Sequence, residues 1–446
     1  MASRRCGVMT TESAPMDSLL ALPVIDGPVP WVLLGLSLIV LLVLVIRPWT
    51  ARRLLGAAIG IAAGAAVAVA AVVIADATDA FGMPLPAFVL WSAMGMLAAV
   101  GLAIASFWGT RWWRKLIAAL GIIVFVTTGA IWINAQFGIN PTLGSIFGIV
   151  PDENLDLPDG ASTGVPAPDK PLYETWNAPA GMPATGKVGT QVIPATTSGF
   201  DARPAGIYLP PAAQVADPPA LPVIVFMMGQ PGNPDPSYIA AALDEYAAQH
   251  DGLAPIAVVA DQIGADQVDT ACADSRAYGN AKSYILDDVV PWIRANLHVI
   301  DDPRYWAIGG YSNGGGCAIA LAAEHPELWK NVMDISGEPF PGAEQVDNVI
   351  ANIYGGDRAA FEASKPVNVL AAHPGAYTGM TAAFTAGGND PEYVSAAKTV
   401  SDAARSAGMT VSNDVIPGAG HVVDALTAGL TITIGKMYPA LGLAAP

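Results

Sequence analysis

Four long apolar stretches dominate the first third of the chain. Each is close to the ~20 residues that cross a bilayer as a helix, and they cover roughly residues 29–46, 54–75, 87–108 and 116–134. A long polar tail precedes the first, and no small-residue cleavage site leads directly into soluble sequence, so none resembles a cleaved signal peptide. The pattern predicts a polar tail at 1–27 and a four-helix transmembrane domain at 28–135.

The pattern changes after residue 135. Residues 136–185 are rich in Pro, Gly and Asp without a sustained period, which predicts a linker or an irregular arm laid over the next domain. From 186 onward, short apolar runs alternate with segments of helical spacing, and runs such as "PVIVFMMG" and "APIAVVAD" are apolar throughout. We therefore expect residues 186–446 to form an α/β domain with a largely parallel sheet covered on both faces.

Two features of the apolar region bear on packing and orientation. Gly56, Gly60 and Gly64 form a small-xxx-small pattern that allows close helix packing, either within the bundle or between two copies. The loops after the first and third stretches each contain three basic residues: Arg47, Arg52, Arg53, Arg111, Arg114 and Lys115. The loop between the second and third has Asp76 and Asp79 instead. The positive-inside rule then places both basic loops in the cytoplasm and residues 186–446 outside it.

Composition agrees with this division. The 446 residues are 53% hydrophobic and 13% charged, which is too apolar for an ordinary soluble chain. The formal net charge is −17, and the acidic residues are concentrated after residue 138. An acidic exported domain argues against nucleic-acid binding. The four apolar stretches make membrane lipid an expected partner.

The stretch "GGYSNGGG" at 309–316 places one serine among glycines, where a strand-like segment passes into a helix-like one. Its G-x-S-x-G pattern, with Ser312 at the centre, is typical of a nucleophile elbow, in which a tight turn leaves no room for neighbouring side chains. A serine hydrolase of this kind supplies its acid after the seventh strand and its histidine after the eighth. Asp390 and His421 fall at those two places, so we expect a Ser312, Asp390, His421 triad.

Other residues compete for two of the three roles. His373 precedes the acid-bearing strand rather than following the last strand, which disfavours it against His421. Asp357 lies before the predicted seventh strand and Glu392 lies beyond the turn at Pro391. For the oxyanion hole, one backbone N–H is expected from Asn313, which follows the nucleophile. The other is expected from the loop after "PVIVFMMG", which presents Gly229 and Gln230, and we take Gln230 as the donor.

The cysteines allow one disulfide in the α/β domain. Cys272 and Cys317 are its two cysteines, and an exported domain permits a bond between them, while two buried thiols are the alternative. Cys6 lies in the polar tail, upstream of Met9 and Met16, which are plausible alternative starts. No Cys or His stands at metal-ligand spacing near either thiol, so neither a metal nor a cofactor is expected.

Residues 185–435 resemble the esterase D and mycolyltransferase branch of the α/β-hydrolase fold, the "Putative esterase" family. The resemblance rests on the triad and on "RPAGIYLPP", "ACADSRAYGNAKSYILDDVVPWI", "GGYSNGGGCAIALAAEHPELWKNVMDISGE" and "GGNDPEY…PGAGH". Relatives with cysteines at the positions of Cys272 and Cys317 are usually exported proteins of actinobacteria, which fits the disulfide. Many relatives have His-Gly where this chain has Met228-Gly229, and an aromatic residue where it has Val423.

The resemblance implies an enzyme that hydrolyses or transfers an acyl group, with a cell-envelope lipid or acylated sugar as its ester. The expected protein is thus a membrane-anchored serine esterase or acyltransferase. A non-catalytic hydrolase-fold protein for binding or assembly is the alternative, motivated by the altered Met228-Gly229 pair. A transporter with an accessory domain is less favoured, since the apolar stretches contain almost no ionisable residue away from their ends.

Overall fold

The computed structural model describes a defined set of residues, namely 19–20, 22–25, 27–78, 85–137, 140, 142–146, 155, 157, 165–230, 232–264 and 268–446. Cys6, Asp79 and much of the predicted linker lie outside the described residues. The chain divides into two compact units, Met1–Asp152 and Glu153–Pro446, which are treated separately below.

The first unit is built on four helices that are long and apolar enough to cross a membrane. They are α1 (Pro28–Val45), α2 (Ala51–Ala77), α3 (Ala87–Ala105) and α4 (Trp112–Phe137), followed by the short α5 (Leu143–Ile146). Each long helix matches one of the four predicted stretches. Their exposed surfaces are rich in large aliphatic and aromatic side chains, as lipid-facing surfaces are.

The small residues of α2 pack against α3 within the same chain. A Cβ on Gly60 would lie 3.0 Å from the carbonyl carbon of Gly101, and one on Gly64 would lie 3.0 Å from the backbone nitrogen of Ala98. Such distances leave no room for a side chain, so two of the three glycines serve helix packing inside the unit. A Cβ on Gly56 would meet no described heavy atom within 4 Å.

The second unit is organised around a sheet of eight strands. Its strands, in chain order, are β1 (Lys187–Gln191), β2 (Ala205–Leu209), β3 (Val223–Met227), β4 (Ile256–Ala260), β7 (Trp306–Tyr311), β8 (Asn331–Ile335), β9 (Thr381–Gly387) and β10 (Thr410–Ile416). Two further strands, β5 (Asp274–Ser275) and β6 (Gly279–Asn280), form a separate antiparallel hairpin between β4 and β7 in the chain. The sheet order is β1-β2-β4-β3-β7-β8-β9-β10. The β1–β2 and β2–β4 pairs are antiparallel and all later pairs are parallel.

Helices cover both faces of this sheet. They are α6 (Leu172–Thr175), α7 (Ser237–Gln249), α8 (Ala281–Ser283), α9 (Val290–Asn296), α10 (Asn313–Glu324), α11 (Val346–Asn352), α12 (Arg358–Ser364), α13 (Pro366–Ala372), α14 (Pro391–Ala407) and α15 (Val423–Ala440). A π-helical turn at Tyr284–Val289 joins α8 to α9. Every residue of the central strands β3, β4 and β8 is buried, which explains why the runs of β3 and β4 are apolar throughout. The order and direction of the eight strands confirm the predicted α/β-hydrolase fold.

Part of the segment before β1 packs on the second unit. Leu155 and Leu172 are buried in the same core as the central strands, and Val165 forms a parallel bridge with Ile300. The Trp176 indole N–H donates to the Asp251 carbonyl at 2.8 Å. The described residues of this segment therefore behave as an arm laid over the domain.

A disulfide joins Cys272 to Cys317, with the two Cα atoms 5.7 Å apart. Cys272 lies in the long connection after β4, and Cys317 lies on α10, one turn after the predicted nucleophile. Both are buried, at 5% and 0% exposure. The bond therefore ties the connection after β4 to the helix that begins at the elbow.

Candidate active site

Ser312 is the single residue between strand β7 and helix α10. β7 ends at Tyr311 and α10 begins at Asn313, and Ser312 has φ 56° and ψ −119°, a conformation that costs a non-glycine residue on the order of 1–3 kcal/mol. Its N–H donates to the Ile335 carbonyl on β8 at 2.9 Å, which holds the strained turn against the sheet. A Cβ on Gly310 would lie 2.7 Å from the backbone nitrogen of Gly315, so the turn requires glycine there.

The structure brings the three predicted catalytic side chains together at the carboxyl edge of the sheet. Ser312 Oγ lies 2.8 Å from His421 Nε2 in a hydrogen bond. His421 Nδ1 lies 3.1 Å from Asp390 Oδ2 on the other side of the ring. His421 and Asp390 are mostly buried, with side-chain exposures of 12% and 17%. This is the geometry of a nucleophile, a base and an acid that orients the base.

The two contacts of His421 differ in alignment. Nε2 meets hydrogen-bond geometry with Ser312, whereas no described atom does so with Nδ1, although Asp390 lies at ion-pair distance. The contact with Asp390 is therefore close but poorly aligned, as catalytic hydrogen bonds often are before the reacting complex forms. Tyr393 packs against the imidazole with the ring centroids 3.9 Å apart, and the Tyr311 ring lies at 5.4 Å from the imidazole.

Asp390 also caps the helix that begins beside it. Its side chain accepts a hydrogen bond from the Tyr393 N–H at 3.5 Å, at the start of α14. The competing acids have other places: Asp357 caps α12, and Glu392 lies exposed in the first turn of α14. His373 is the exposed C-cap of α13. Among the residues with described positions, no three His, Cys, Asp or Glu side chains are grouped to hold a metal ion.

The two predicted oxyanion donors lie on the segments that flank Ser312. Asn313 is the first residue of α10, so its N–H has no acceptor within the helix. Gln230 lies in a tight turn in which the Gly232 N–H donates to the Gly229 carbonyl at 2.7 Å. A Cβ on Gly229 would stand 3.1 Å from the Ser312 Cβ, so this loop passes directly beside the nucleophile.

Sequence reasoning missed a set of polar side chains buried behind the elbow: Gln262, Asp269, Glu338, and the amide of Asn313 itself. The Asn313 Nδ2 group donates to Asp269 Oδ1 at 3.1 Å and to Glu338 Oε1 at 3.5 Å. Burial raises the pKa of both carboxyl groups, and the charge of Asp269 raises that of Glu338 further. No motif marks these residues, because they come from separate loops after β4 and β8.

A further acid, Glu344, contacts Tyr393. Glu344 Oε1 accepts a hydrogen bond from the Tyr393 hydroxyl at 2.8 Å. Burial and the neighbouring Glu344 and Glu338 carboxylates raise the pKa of Tyr393, so its hydroxyl stays protonated and can donate. Tyr393 therefore connects the imidazole wall of the site to Glu344.

The chain is similar to one protein family in sequence and to several solved hydrolases in fold. The sequence model of the family described as "Putative esterase" matches residues 201–428, a span that contains Ser312, Asp390 and His421. An uncharacterised protein of Corynebacterium glutamicum is 35% identical over 317 residues, which cover 69% of this chain and 72% of that protein. A solved ferulic acid esterase is 18% identical with a TM-score of 0.48 and covers 57% of this chain and 99% of its own. An S-formylglutathione hydrolase from Agrobacterium tumefaciens is 16% identical with a TM-score of 0.47, covering 59% and 97%.

Proposed function

Since the chain belongs to the "Putative esterase" family, we propose that it is a membrane-anchored serine esterase or acyltransferase that works through an acyl-enzyme on Ser312. The observation that carries this proposal is the 2.8 Å hydrogen bond between Ser312 Oγ and His421 Nε2 on a strained elbow, with Asp390 behind the imidazole. A hydroxyl that serves only packing does not need a left-handed backbone and a base at its oxygen.

In the proposed first step, Ser312 Oγ attacks the ester carbonyl while His421 Nε2 takes the hydroxyl proton. Asp390 stabilises the imidazolium that forms, and the N–H groups of Asn313 and Gln230 stabilise the oxyanion. The tetrahedral species collapses when the alcohol leaves with the proton from His421. An acyl group then remains on Ser312.

In the second step, an acceptor hydroxyl attacks the acyl-enzyme and His421 again removes its proton. Water as the acceptor gives hydrolysis, and a carbohydrate hydroxyl gives transfer. The proposed substrate is a cell-envelope ester, either a lipid or an acylated sugar, in keeping with the resemblance noted above and with the four candidate membrane helices.

We further infer that the domain at 186–446 lies outside the cytoplasm, with 28–135 as its anchor and 136–185 as the connection. The basic residues near the α1–α2 and α3–α4 connections, among them Arg52 and Arg114, support that orientation through the positive-inside rule. The Cys272–Cys317 bond is compatible with an oxidising compartment. Labelling of intact cells with a membrane-impermeant lysine reagent tests it. We expect modification of lysines after residue 186. Modification of Lys115 alone would indicate the opposite orientation.

The activity is tested by turnover of p-nitrophenyl esters of increasing chain length by the full-length protein in detergent. Ser312→Ala and His421→Gln should each lower kcat/KM by at least about 10³-fold. His373→Gln is the matched control, since it removes an imidazole at a helix C-cap away from the triad. Undiminished cleavage by Ser312→Ala would contradict the proposal.

A non-catalytic binding or assembly protein is the second candidate, and Met228, where many relatives have His, is the observation that favours it. A fluorophosphonate probe separates the two. Covalent labelling that depends on Ser312 supports the enzyme. A folded protein that no fluorophosphonate labels would support the binding protein.

A further inference from the structure

Four polar side chains behind the elbow have no role in the mechanism above. They are nearly inaccessible, with exposures from 1% to 6%: Gln262, Asp269, Asn313 and Glu338. Burying this many polar groups is costly unless each forms hydrogen bonds, so their arrangement requires an explanation. They lie where the loops after β3, β4 and β8 meet the start of α10.

Gln262 follows the carboxyl end of β4 and makes two contacts through one nitrogen. Its Nε2 group donates to the Met228 carbonyl at 2.5 Å and to Asn313 Oδ1 at 3.1 Å. Its own backbone carbonyl accepts a hydrogen bond from Thr270 Oγ1 at 2.7 Å. The side chain thus joins the loop after β3 to the first residue of α10.

We propose that Gln262 is a positioning residue of the oxyanion hole, which fixes the loop carrying the Gln230 N–H against the helix start carrying the Asn313 N–H. The Met228 carbonyl belongs to the peptide unit directly before the one that carries the Gln230 N–H. The atoms that Gln262 joins are therefore close in the chain to both expected donors. This inference rests on the proposed function.

The Asn313 amide can take only one orientation in this arrangement. The Met228 carbonyl can only accept, so the Gln262 NH₂ group faces that carbonyl and the Asn313 oxygen, and the Asn313 NH₂ group faces the carboxyl groups of Asp269 and Glu338. Glu338 is held in turn, because its second oxygen accepts from the Gly342 N–H at 3.0 Å. The two buried acids therefore fix the amide to which Gln262 donates.

The far end of the same loop is held by a second contact. The Arg203 guanidinium binds both oxygens of Asp261, at 3.0 and 2.7 Å, and also donates to the Gly232 carbonyl at 3.0 Å and to Asn233 Oδ1 at 2.7 Å. Asp261 directly precedes Gln262. The end of β4 thus fixes the oxyanion loop at both ends, and Gln262 supplies the contact nearer to Ser312.

The test replaces Gln262 with Met, which has similar volume but no N–H donor. We expect kcat for a p-nitrophenyl ester to fall about 10- to 100-fold with KM within about threefold, because a displaced donor is felt mainly in the transition state. The substitution should lower kcat for the corresponding thionoester much less, since sulfur is a weak hydrogen-bond acceptor. The ratio of oxoester to thionoester kcat/KM should therefore fall about tenfold.

Gln214→Met is the matched control. The Gln214 Nε2 group donates to backbone carbonyls of Thr185, Leu209 and Pro210, away from Ser312. The Gln214→Met substitution should leave kcat and the oxoester-to-thionoester ratio of kcat/KM unchanged. A purely structural role for Gln262 would instead lower Tm without moving the ratio.

Each outcome has a defined meaning. If Gln262→Met is folded and keeps both kcat and the ratio, the inference is wrong while the proposed function stands. If Gln262→Met does not fold, Gln262→Leu, which also lacks a hydrogen-bond donor, carries the same test. If the unsubstituted protein neither turns over esters nor reacts with a fluorophosphonate, the proposed function fails and the inference fails with it.

Discussion

A single added methyl group at Gly314 should impair catalysis more than folding. Gly314 lies in the first turn of α10, against the backbone at the end of β3. A Cβ there would stand 2.5 Å from the Met227 carbonyl carbon and 2.8 Å from the Met228 carbonyl oxygen. Both neighbours are main-chain atoms, so no flexible side chain can move aside.

The size of the effect follows from these distances. Ordinary contact begins at 3.4 Å, and the Met227 carbonyl oxygen lies nearer than its carbon, so Gly314→Ala must separate the helix start from the end of β3 by at least about 0.9 Å. A misplacement of about 1 Å can cost on the order of 100-fold in rate. We therefore expect kcat/KM to fall about 100-fold, with a loss of stability of about 1–3 kcal/mol from overpacking.

Gly316→Ala on the same helix is the control. Its Cβ would meet the Glu338 carbonyl oxygen at 3.0 Å, which a shift of a few tenths of an ångström relieves, so a loss under about tenfold is expected. Turnover of p-nitrophenyl esters and thermal unfolding are measured on both variants. In a helix interior, Gly→Ala alone favours folding by up to about 1 kcal/mol. A Gly314→Ala protein that is more stable and fully active would refute the reasoning.

Three further changes test the site and its support. Asp390→Asn should lower kcat about 10³- to 10⁴-fold through the wrong imidazole tautomer, and a loss under tenfold in ester turnover would remove Asp390 from the triad. Replacing Cys272 and Cys317 with serine opens a loop with a sequence separation of 45 and should cost about 4 kcal/mol; reductant should then lower the Tm of the parent but not of the variant. Burial raises the pKa of Asp334 to about 7, so its protonated form favours folding and stability falls as pH rises from about 4 to about 7. Asp334→Asn should remove this pH-dependent loss, which amounts to up to about 4 kcal/mol in the free energy of unfolding. If the variant and the parent showed the same dependence of Tm on pH, Asp334 would ionise freely in the folded protein.

The fold, and the fact that Ser312, Asp390 and His421 lie together, could be predicted because their signals are local. Each apolar run of the sheet is contiguous, and Ser312, Asp390 and His421 each follow a recognisable strand in a fixed order. The structure then showed what local patterns do not contain. The poor alignment between Asp390 and His421, and the stacking of Tyr393 on the imidazole, depend on side-chain geometry.

The polar side chains behind the elbow had no sequence signal for a different reason. Gln262 and Glu338 are 76 positions apart, and both reach Asn313 only because β4 and β8 end at the same edge of the sheet. The short helices between β8 and β9 were also missed, since segments of seven residues such as Val346–Asn352 are too short for a period to be read. Burial of polar residues is a property of the folded chain.

The most direct measurement is the site of covalent labelling by a fluorophosphonate, located by mass spectrometry of peptides from the full-length protein. If His421 activates Ser312, we expect a single phosphonate adduct, on the peptide that contains Ser312. Its rate of formation should be at least about 10³-fold lower in the His421→Gln variant. Rapid labelling of a different serine, or equal labelling of Ser312 in the His421→Gln variant, would contradict a catalytic role for this pair.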